Sequence, residues 1–174
     1  MKRLYLLRHA HSPSSLGMED HERPLSEQGH EDAQALGVYM QDHAWRPDFA
    51  LCSSAVRTRQ TLSDVLGALN IAPPAAFSQD IYRGSTSDYL DALRGVDDAY
   101  GSVLLVAHNP SIHGVAAMLA DDGHAKAYQT LISGYAPATL CVLDYEGARW
   151  AKLSPACGRL VAVLSPSVYS SSSP

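Results

Sequence analysis

Residues 4–12, Leu-Tyr-Leu-Leu-Arg-His-Ala-His-Ser (LYLLRHAHS), hold the strongest clue to the fold. The first four are apolar and typical of a buried strand. Arg8 and His9 follow directly, and His11 comes two residues later. Strand ends are often polar because they reach solvent, but an open α/β sheet also keeps its ligands at the carboxyl ends of its strands. The rest of the chain has to decide between these two explanations.

Apolar runs and segments with helical periodicity alternate along the chain. Amphipathic helices are predicted after the first two strands, the first capped by Ser26 and the second by Ser53 or Ser54. Strands separated by helices indicate an α/β fold, with a mostly parallel sheet covered on both faces. Residues 139–143 and 150–153 predict a closing hairpin. Further strands are predicted at residues 48–52, 75–81 and 102–107.

The composition narrows the possible functions. With 174 residues, the chain is long enough for one domain with its own core. Its formal charge of −5 argues against a nucleic-acid-binding protein, which would normally carry a basic stripe. No apolar run approaches the roughly 20 residues needed to cross a membrane. Three cysteines without a CxxC pair favour a reducing, cytoplasmic location.

The composition changes after residue 154. Ser, Pro and Ala become frequent, and residues 170–174 read Ser-Ser-Ser-Ser-Pro. We therefore predict one folded domain over residues 1–154 and a flexible Ser/Pro-rich tail over residues 155–174. The apolar run Leu160–Leu164 is the part of this tail that could dock elsewhere.

Positively charged and polar residues follow three of the predicted strands. Arg8 and His9 follow the first strand, and Arg57 lies at the start of the helix after the second. His108 and Asn109 follow the strand at 102–107. The carboxyl ends of parallel strands meet at one edge of a sheet, where arginine side chains and helix N-terminal N–H groups suit phosphate or carboxylate oxygens. The pattern predicts an anion site at this edge.

A histidine in such a site can react as well as bind. A neutral His9 can attack phosphorus with one ring nitrogen while a hydrogen bond holds the other. Neighbouring positive charge disfavours the imidazolium form and keeps a lone pair free near neutral pH. The arginines and His108 would stabilise charge on the oxygens of the transferred phosphoryl group. No metal and no cofactor are required for this scheme.

Four segments of the chain match, in order, the motifs of one known family. They are Leu6–His9, Arg23–Gly29, Ser53–Thr61 and Val106–Pro110. These segments resemble the Arg-His-Gly signature, the Pro-Leu-Ser/Thr-x-x-Gly segment, the second-arginine motif and the second-histidine motif of the histidine phosphatase superfamily, phosphoglycerate mutase-like branch.

This resemblance implies a fold and a set of roles. The fold is a phosphoglycerate mutase-like three-layer α/β/α sandwich, which would make residues 1–154 a histidine phosphatase domain. His9 is implied as the nucleophile that accepts the phosphoryl group. The implied phosphate pocket consists of Arg8, Arg57 and His108. The short chain, without a large insertion, is most similar to the small SixA-type phosphohistidine phosphatases.

The sequence departs from the family pattern at two positions. Ala10 replaces the usual glycine after the nucleophile and is small enough to fit. Larger members carry an acidic proton donor before the second histidine, commonly a glutamate, and here only Asp80 is a candidate. A proton donor typically contributes about 10²–10⁴-fold to the rate, but imidazole is a better leaving group than an alkoxide and needs less help. The missing acid and the missing lid therefore favour a phosphohistidine protein over a sugar phosphate.

Other residues near the predicted pocket are candidates for contacting the substrate. His11 and Ser12 would line its entrance, and Arg23 lies in a loop that could approach the substrate. Asn109 either donates to a phosphate oxygen or caps the following helix. His9 and His11 form a His-x-His pair, but no acidic third ligand stands at a fitting distance, so no metal site is predicted.

The sequence thus predicts a metal-independent phosphatase that forms a phosphohistidine intermediate on His9 and acts on a phosphohistidine protein. A small-molecule phosphomonoesterase is an alternative within the same superfamily. A non-catalytic module that binds phosphate or phosphopeptides is an alternative from another class, but it gives no reason for a histidine at the nucleophile position. Inorganic phosphate or sulfate is expected to bind the site.

Overall fold

The computed structural model describes residues 1–14 and 17–170. Within them, six strands pair into one sheet. The strands are β1 (Lys2–Arg8), β2 (Phe49–Ser53), β3 (Ala75–Ser78), β4 (Ser102–Ala107), β5 (Leu140–Tyr145) and β6 (Gly158–Leu164). Their order across the sheet is β3-β2-β4-β1-β5-β6.

Five strands of the sheet run in one direction, and only β5 runs in the opposite direction. β3, β2, β4 and β1 run in the same direction, whereas β5 is antiparallel to both β1 and β6. The predicted mostly parallel sheet is therefore confirmed. Because β1 lies next to β4, and β4 next to β2, the three strands with polar endings finish side by side at the same edge.

Helices cover both faces of the sheet. The segments are α1 (Glu27–Asp42), α2 (Val56–Leu69), α3 (Gln79–Arg83), α4 (Thr86–Arg94), α5 (Ser111–Leu119), α6 (Ala125–Ser133) and α7 (Pro166–Tyr169). None of the helices in the described part of the chain is long and apolar enough to cross a membrane.

Two hydrophobic cores lie on opposite sides of the sheet. Leu4 and Leu6 of β1 pack in the core formed with α4 and α5. Tyr5 and Leu7 pack in the core formed with α1 and α2. The split follows from strand geometry, because successive side chains point to opposite faces. The predicted three-layer α/β/α sandwich is confirmed.

Local signals explain how the first two helices begin. Ser26 is the N-cap of α1, and its hydroxyl accepts a hydrogen bond from the N–H of Gly29 at 3.0 Å, as predicted. The prediction that Ser53 or Ser54 caps α2 is wrong. The N-cap is Ala55, which has no side chain to cap with, and the Ser53 hydroxyl contacts His108 instead.

The carboxyl-terminal part of the chain differs from the prediction in two ways. The predicted hairpin partner of β5 is wrong: residues Trp150–Lys152 form a single 3₁₀ turn, and β6 pairs with β5. The indole of Trp150 is fully buried and donates to the carbonyl oxygen of Tyr100, so this residue belongs to the core under the sheet.

The prediction that the folded domain ends at residue 154 is therefore also wrong, because the fold continues to residue 169. β6 is an integral edge strand, and α7 packs back with the side chain of Tyr169 only 3% exposed. Frequent Ser and Pro residues suggested a tail, but Leu160, Leu164 and Tyr169 are buried and stabilise the fold. The final part of the predicted tail, residues 171–174, lies outside the described residues.

Candidate active site

Three strand ends converge at the carboxyl edge of the sheet. Arg8 and Ala107 are opposite each other in the pairing of β1 with β4, and the N–H of His9 donates to the carbonyl oxygen of Ala107 at 3.0 Å. His9 and His108 therefore emerge side by side, with 5.3 Å between their ring centroids. The α2 helix, which begins just after β2, brings Arg57 to the same place. The predicted cluster of Arg8, His9, Arg57 and His108 is present.

His9 is held as a neutral imidazole with one nitrogen free. Its Nδ1 lies 2.8 Å from the carbonyl oxygen of Ala10, which can only accept, so Nδ1 carries the proton and Nε2 keeps a lone pair. The pKa of His9 is lowered to about 4, chiefly because the ring is buried; the hydrogen bond to Ala10 raises the pKa, and the charges of Arg57 and Arg8 lower it. At neutral pH the ring is therefore neutral, with a lone pair on Nε2.

His108 is also neutral, and it is oriented by a serine. Its Nε2 lies 2.6 Å from the hydroxyl oxygen of Ser53, and its Nδ1 lies 3.4 Å from Nη2 of Arg57. Because arginine can only donate, Nδ1 is the acceptor and Nε2 donates to Ser53. Burial lowers the pKa of His108 to about 3, with further lowering by His9 and Arg57.

One backbone carbonyl group orients both Arg8 and Asn109. The carbonyl oxygen of Tyr135 accepts a hydrogen bond of 2.9 Å from Nη1 of Arg8 and another of 2.9 Å from Nδ2 of Asn109. Asn109 is not the cap of α5, because Pro110 occupies that position. The sequence suggested neither Tyr135 nor its role, since it lies in a loop before β5.

Three buried polar atoms of the cluster have no hydrogen-bond partner in the described part of the chain. Among the described residues, Nε of Arg8, Nε of Arg57 and Oδ1 of Asn109 are buried and make no hydrogen bond. Unpaired buried donors cost free energy, and two arginine N–H groups next to two neutral histidines are complementary to an anion with several oxygens. A phosphoryl group fits this donor set.

A loop residue that sequence analysis missed faces Arg57 from the solvent side. Asp20 lies in the 3₁₀ turn Asp20–Glu22; its backbone carbonyl oxygen accepts from Nη1 of Arg57 at 2.7 Å, and its Oδ2 from Nη2 at 3.1 Å. Tyr82 donates to the same Oδ2 at 2.8 Å, and Arg23 donates to Oδ1 at 2.9 Å. No short motif marks Asp20, because it is brought to Arg57 only by folding.

Two aromatic rings stand beside this loop. The ring of Tyr82 packs edge-on against His108, with 5.7 Å between the centroids, and edge-on against His21, at 4.8 Å. His21 contacts the Ser54 hydroxyl at 2.9 Å through Nε2 and the Glu22 carboxylate at 2.7 Å through Nδ1. These contacts anchor the loop to the start of α2. His21 therefore lies next to the pocket, although no motif in the sequence marks it.

The residues predicted to contact substrate lie at different distances from the pocket. Nη1 of Arg23 donates to the hydroxyl of Ser12 at 3.2 Å, so both brace the loop that carries Asp20. The charge of Arg23 also contributes to the lowered pKa of His9. His11 is exposed, and its Nδ1 lies 2.7 Å from the hydroxyl oxygen of Ser26 at the start of α1.

Asp80, the candidate general acid, does not join the cluster of polar contacts. Its side chain is exposed, and its backbone N–H donates to the Ser78 hydroxyl at the start of α3. No hydrogen bond or ion pair in the described part of the chain involves its carboxylate. The carboxylate that does contact the pocket belongs to Asp20. A role for Asp80 as a proton donor stays a prediction.

Two small residues allow the loop after β1 to pack closely. Ala10 is completely buried, and its N–H donates to the hydroxyl of Thr61 at 3.0 Å, so there is room for its methyl group at the position where the family has glycine. A Cβ atom on Gly29 would overlap the backbone carbonyl oxygen of His11. The glycine therefore permits the amino-terminal turn of α1 to lie against this loop.

A comparison of the sequence with family models places the chain among known proteins. Residues 4–77 match the model of the histidine phosphatase superfamily (branch 1). The chain belongs to this superfamily. The match covers β1, α1, β2, α2 and most of β3, and thus the segments that carry Arg8, His9 and Arg57.

Relatives of this superfamily member extend the match to the rest of the chain. The uncharacterized protein Rv1276c of Mycobacterium tuberculosis is 32% identical over 157 residues, which is 89% of this chain and 96% of the relative. A solved structure named for phosphohistidine phosphatase SixA, from Nakamurella multipartitia, is 31% identical, with a TM-score of 0.82 over 95% of this chain and 96% of that one. A second SixA-named structure, from Agrobacterium tumefaciens, is 30% identical, with a TM-score of 0.78 over 95% and 98%. The protein is therefore a SixA-like member of the superfamily.

Proposed function

We propose that this protein is a metal-independent phosphatase that takes a phosphoryl group onto His9 and passes it to water. The observation that carries the proposal is the free Nε2 lone pair of a neutral, buried His9, next to unpaired N–H donors of Arg8 and Arg57. Membership of the histidine phosphatase superfamily supports the same chemistry. A module that only binds phosphate would have no use for a lone pair directed into its donor set.

The reaction consists of two displacements at phosphorus. In the first, Nε2 of His9 forms a bond to phosphorus as the bond to the leaving group breaks, and the leaving group keeps the electron pair. Arg8 and Arg57 donate to the transferred oxygens and stabilise their charge, whereas both ring nitrogens of His108 are engaged by Ser53 and Arg57. In the second, water forms the new P–O bond, the P–Nε2 bond breaks and its electron pair returns to Nε2. The water protons stay on the released phosphate or pass to solvent.

The favoured substrate is a histidine-phosphorylated protein. The two SixA-named structures that are 31% and 30% identical support this class. The exposed position of Asp80 also supports it, because an imidazole leaving group needs less help from a general acid than an alkoxide does. No inserted domain interrupts the segment between β3 and β4, which contains only the short helices α3 and α4, so a bulky protein substrate has access.

The experiment is phosphate release from a histidine-phosphorylated protein domain in the presence of EDTA. We expect release by the wild type, none by His9→Ala, and normal release by His43→Ala, which removes a histidine at the end of α1. Rapid acid-free quenching with labelled substrate should trap the label on His9. Release that survives His9→Ala, or that EDTA abolishes, would contradict the mechanism.

The same experiment separates the alternatives. Hydrolysis of aryl or sugar phosphates without release from phosphohistidine would make the protein a small-molecule phosphomonoesterase. Tight binding of inorganic phosphate with no turnover of either substrate would support a non-catalytic phosphate-binding module. A cytoplasmic location also stays a prediction, supported by three free cysteines, of which Cys52 and Cys141 are buried.

A further inference from the structure

Asp20 places a carboxylate at the mouth of the proposed phosphate pocket. Its side chain is 57% exposed, whereas that of Arg57, which it contacts, is 6% exposed. His9 is buried at the floor of the pocket. In-line transfer puts the leaving group on the side opposite the attacking nitrogen, which is the solvent side. A leaving group would therefore depart past Asp20.

Arg57 has room for a phosphoryl group while it holds Asp20. The backbone carbonyl oxygen of Asp20 accepts a hydrogen bond from Nη1 of Arg57, and the Asp20 carboxylate accepts one from Nη2. The Nε atom is buried and has no partner among the described residues. Since Nη2 donates one hydrogen to Asp20 and the other to His108, the Nε–H group is the donor of Arg57 that stays available for a phosphoryl oxygen. Substrate and the Asp20 contact can coexist.

The carboxylate of Asp20 is ionised at every pH at which the enzyme would work. Partial burial raises its pKa, but the hydrogen bonds from Tyr82 and Arg23 and the charge of Arg57 outweigh this effect and lower the pKa to about 2. The group can therefore accept a hydrogen bond but is a poor proton donor. It does not replace the glutamate that larger superfamily members use as a general acid.

We propose that Asp20 accepts a hydrogen bond from the ring N–H of a phosphorylated imidazole and thereby selects phosphohistidine over phosphate esters. This inference rests on the proposed function and names the residue that gives the site its substrate preference. Asp20 is then a specificity residue that contacts the leaving group.

The chemistry of the leaving group explains the selection. In phosphohistidine, one ring nitrogen is bonded to phosphorus, and in the reactive form the other carries a proton. When the P–N bond breaks, its electron pair goes to the departing nitrogen, and the ring leaves as neutral imidazole without any proton transfer. A carboxylate that accepts from the distal N–H favours this protonated form. A phosphate ester has no such N–H, so the same carboxylate only repels its negative charge.

The aromatic side chains at the mouth suit the same ligand. Tyr82 donates its hydroxyl proton to Asp20, so its ring stands beside the carboxylate. The rings of Tyr82 and His21 meet edge to face at 4.8 Å. A flat imidazole that hydrogen-bonds to Asp20 would lie against these rings, in the offset or edge-on contacts that aromatic groups favour. A sugar or alkyl phosphate offers no flat ring for this surface.

The experiment compares two substrates in three proteins. Phosphoimidazole and an aryl phosphate are hydrolysed by wild type, Asp20→Asn and Glu19→Gln, and kcat/KM is measured for each. Glu19→Gln is the matched control, because it removes an acidic charge from the adjacent residue, and in the described part of the chain Arg57 pairs with Asp20 rather than with the Glu19 carboxylate. We expect Asp20→Asn to lower kcat/KM for phosphoimidazole at least 10-fold and to raise it a few-fold for the aryl phosphate. Glu19→Gln should change neither by more than about 2-fold.

The outcomes separate this inference from the proposed function. A wild type that hydrolyses the aryl phosphate but not phosphoimidazole would overturn this inference and the phosphohistidine substrate class, but not phosphoryl transfer to His9. A wild type inactive on both substrates would overturn the proposed function and this inference with it. An active wild type for which Asp20→Asn reduces both substrates equally would overturn only this inference, because Asp20 would then merely position Arg57. A phosphoimidazole methylated on its distal nitrogen lacks the N–H; equal kcat/KM for it and for phosphoimidazole in the wild type would also overturn the inference.

Discussion

Lowering the pH from 7 to 5 should leave His9 almost fully active as a nucleophile. An ordinary histidine, with a pKa near 6.5, is only about 3% neutral at pH 5. In the folded protein, burial, Arg57 and Arg8 lower the pKa of His9 to about 4, so that about 90% of it is neutral at that pH. The pKa of His108, lowered to about 3, adds no further loss in this range.

The assay is kcat/KM for an aryl phosphate between pH 4 and 8, corrected for ionisation of the substrate itself. We expect the acid limb of the profile to have a midpoint near 4, which is a property of the His9–His108 pair because their titrations interact. Titration of the His9 ring followed by NMR gives the same quantity without turnover. In urea, the midpoint should return to about 6.5.

A midpoint near 6.5 in the folded protein would refute the reasoning that burial and the arginines keep His9 neutral. The Arg57→Gln variant tests the electrostatic part separately. It removes one positive charge that lowers the pKa of His9, so the NMR midpoint should move upwards. An unchanged or lower midpoint in this variant would show that Arg57 does not act on His9 through its charge.

Three further substitutions test other contacts. Ser53→Ala leaves Nε2–H of His108 without a partner and should lower kcat/KM about 10-fold and the free energy of unfolding by about 1–3 kcal/mol. The control Ser63→Ala, on the exposed side of α2, should change neither quantity. Gly29→Ala should destabilise the fold by about 1–3 kcal/mol because its Cβ would overlap the backbone of His11. The control Gly67→Ala, whose Cβ has no heavy atom within 4 Å, should stabilise α2 by about 0.5–1 kcal/mol. Urea denaturation measures both changes. His9→Gln should reduce the acid sensitivity of stability, since the pKa of His9 is about 4 in the folded state and near 6.5 in the unfolded state. The stability that depends on neutral His9 is present above pH 6.5 and is lost, by on the order of 3 kcal/mol, as the pH falls to 4; urea midpoints at pH 7 and pH 4.5 give the difference.

Features that depend on neighbouring residues could be predicted from the sequence. The apolar run before Arg8 forms β1, and Ser26 caps α1 through a hydrogen bond only three residues away. Parallel strand ends share an edge by geometry, so the meeting of Arg8, His9, Arg57 and His108 followed from the order of the elements. Family motifs carried the same four residues.

The hairpin prediction failed because two neighbouring segments could each have paired with β5. Residues 150–153 and 158–164 are both apolar runs that could pair with β5, and sequence patterns do not rank them. The indole of Trp150 packs in the core, where its N–H donates a hydrogen bond to the carbonyl oxygen of Tyr100. The free edge of β5 therefore pairs with β6. The choice depends on the volume and the hydrogen-bond partners available beneath the sheet.

The sequence by itself therefore determined the layered fold and the clustering of Arg8, His9, Arg57 and His108 at its centre, because strand order, helix periodicity and short motifs are local or follow from chain geometry. Only the tertiary structure decided how this centre is completed. Asp20 meets Arg57 across 37 positions of sequence, Ser53 meets His108 across 55, and Tyr82 meets Asp20 across 62. Contacts of this kind arise when loops pack together in space, and no pattern of spacing along the chain records them.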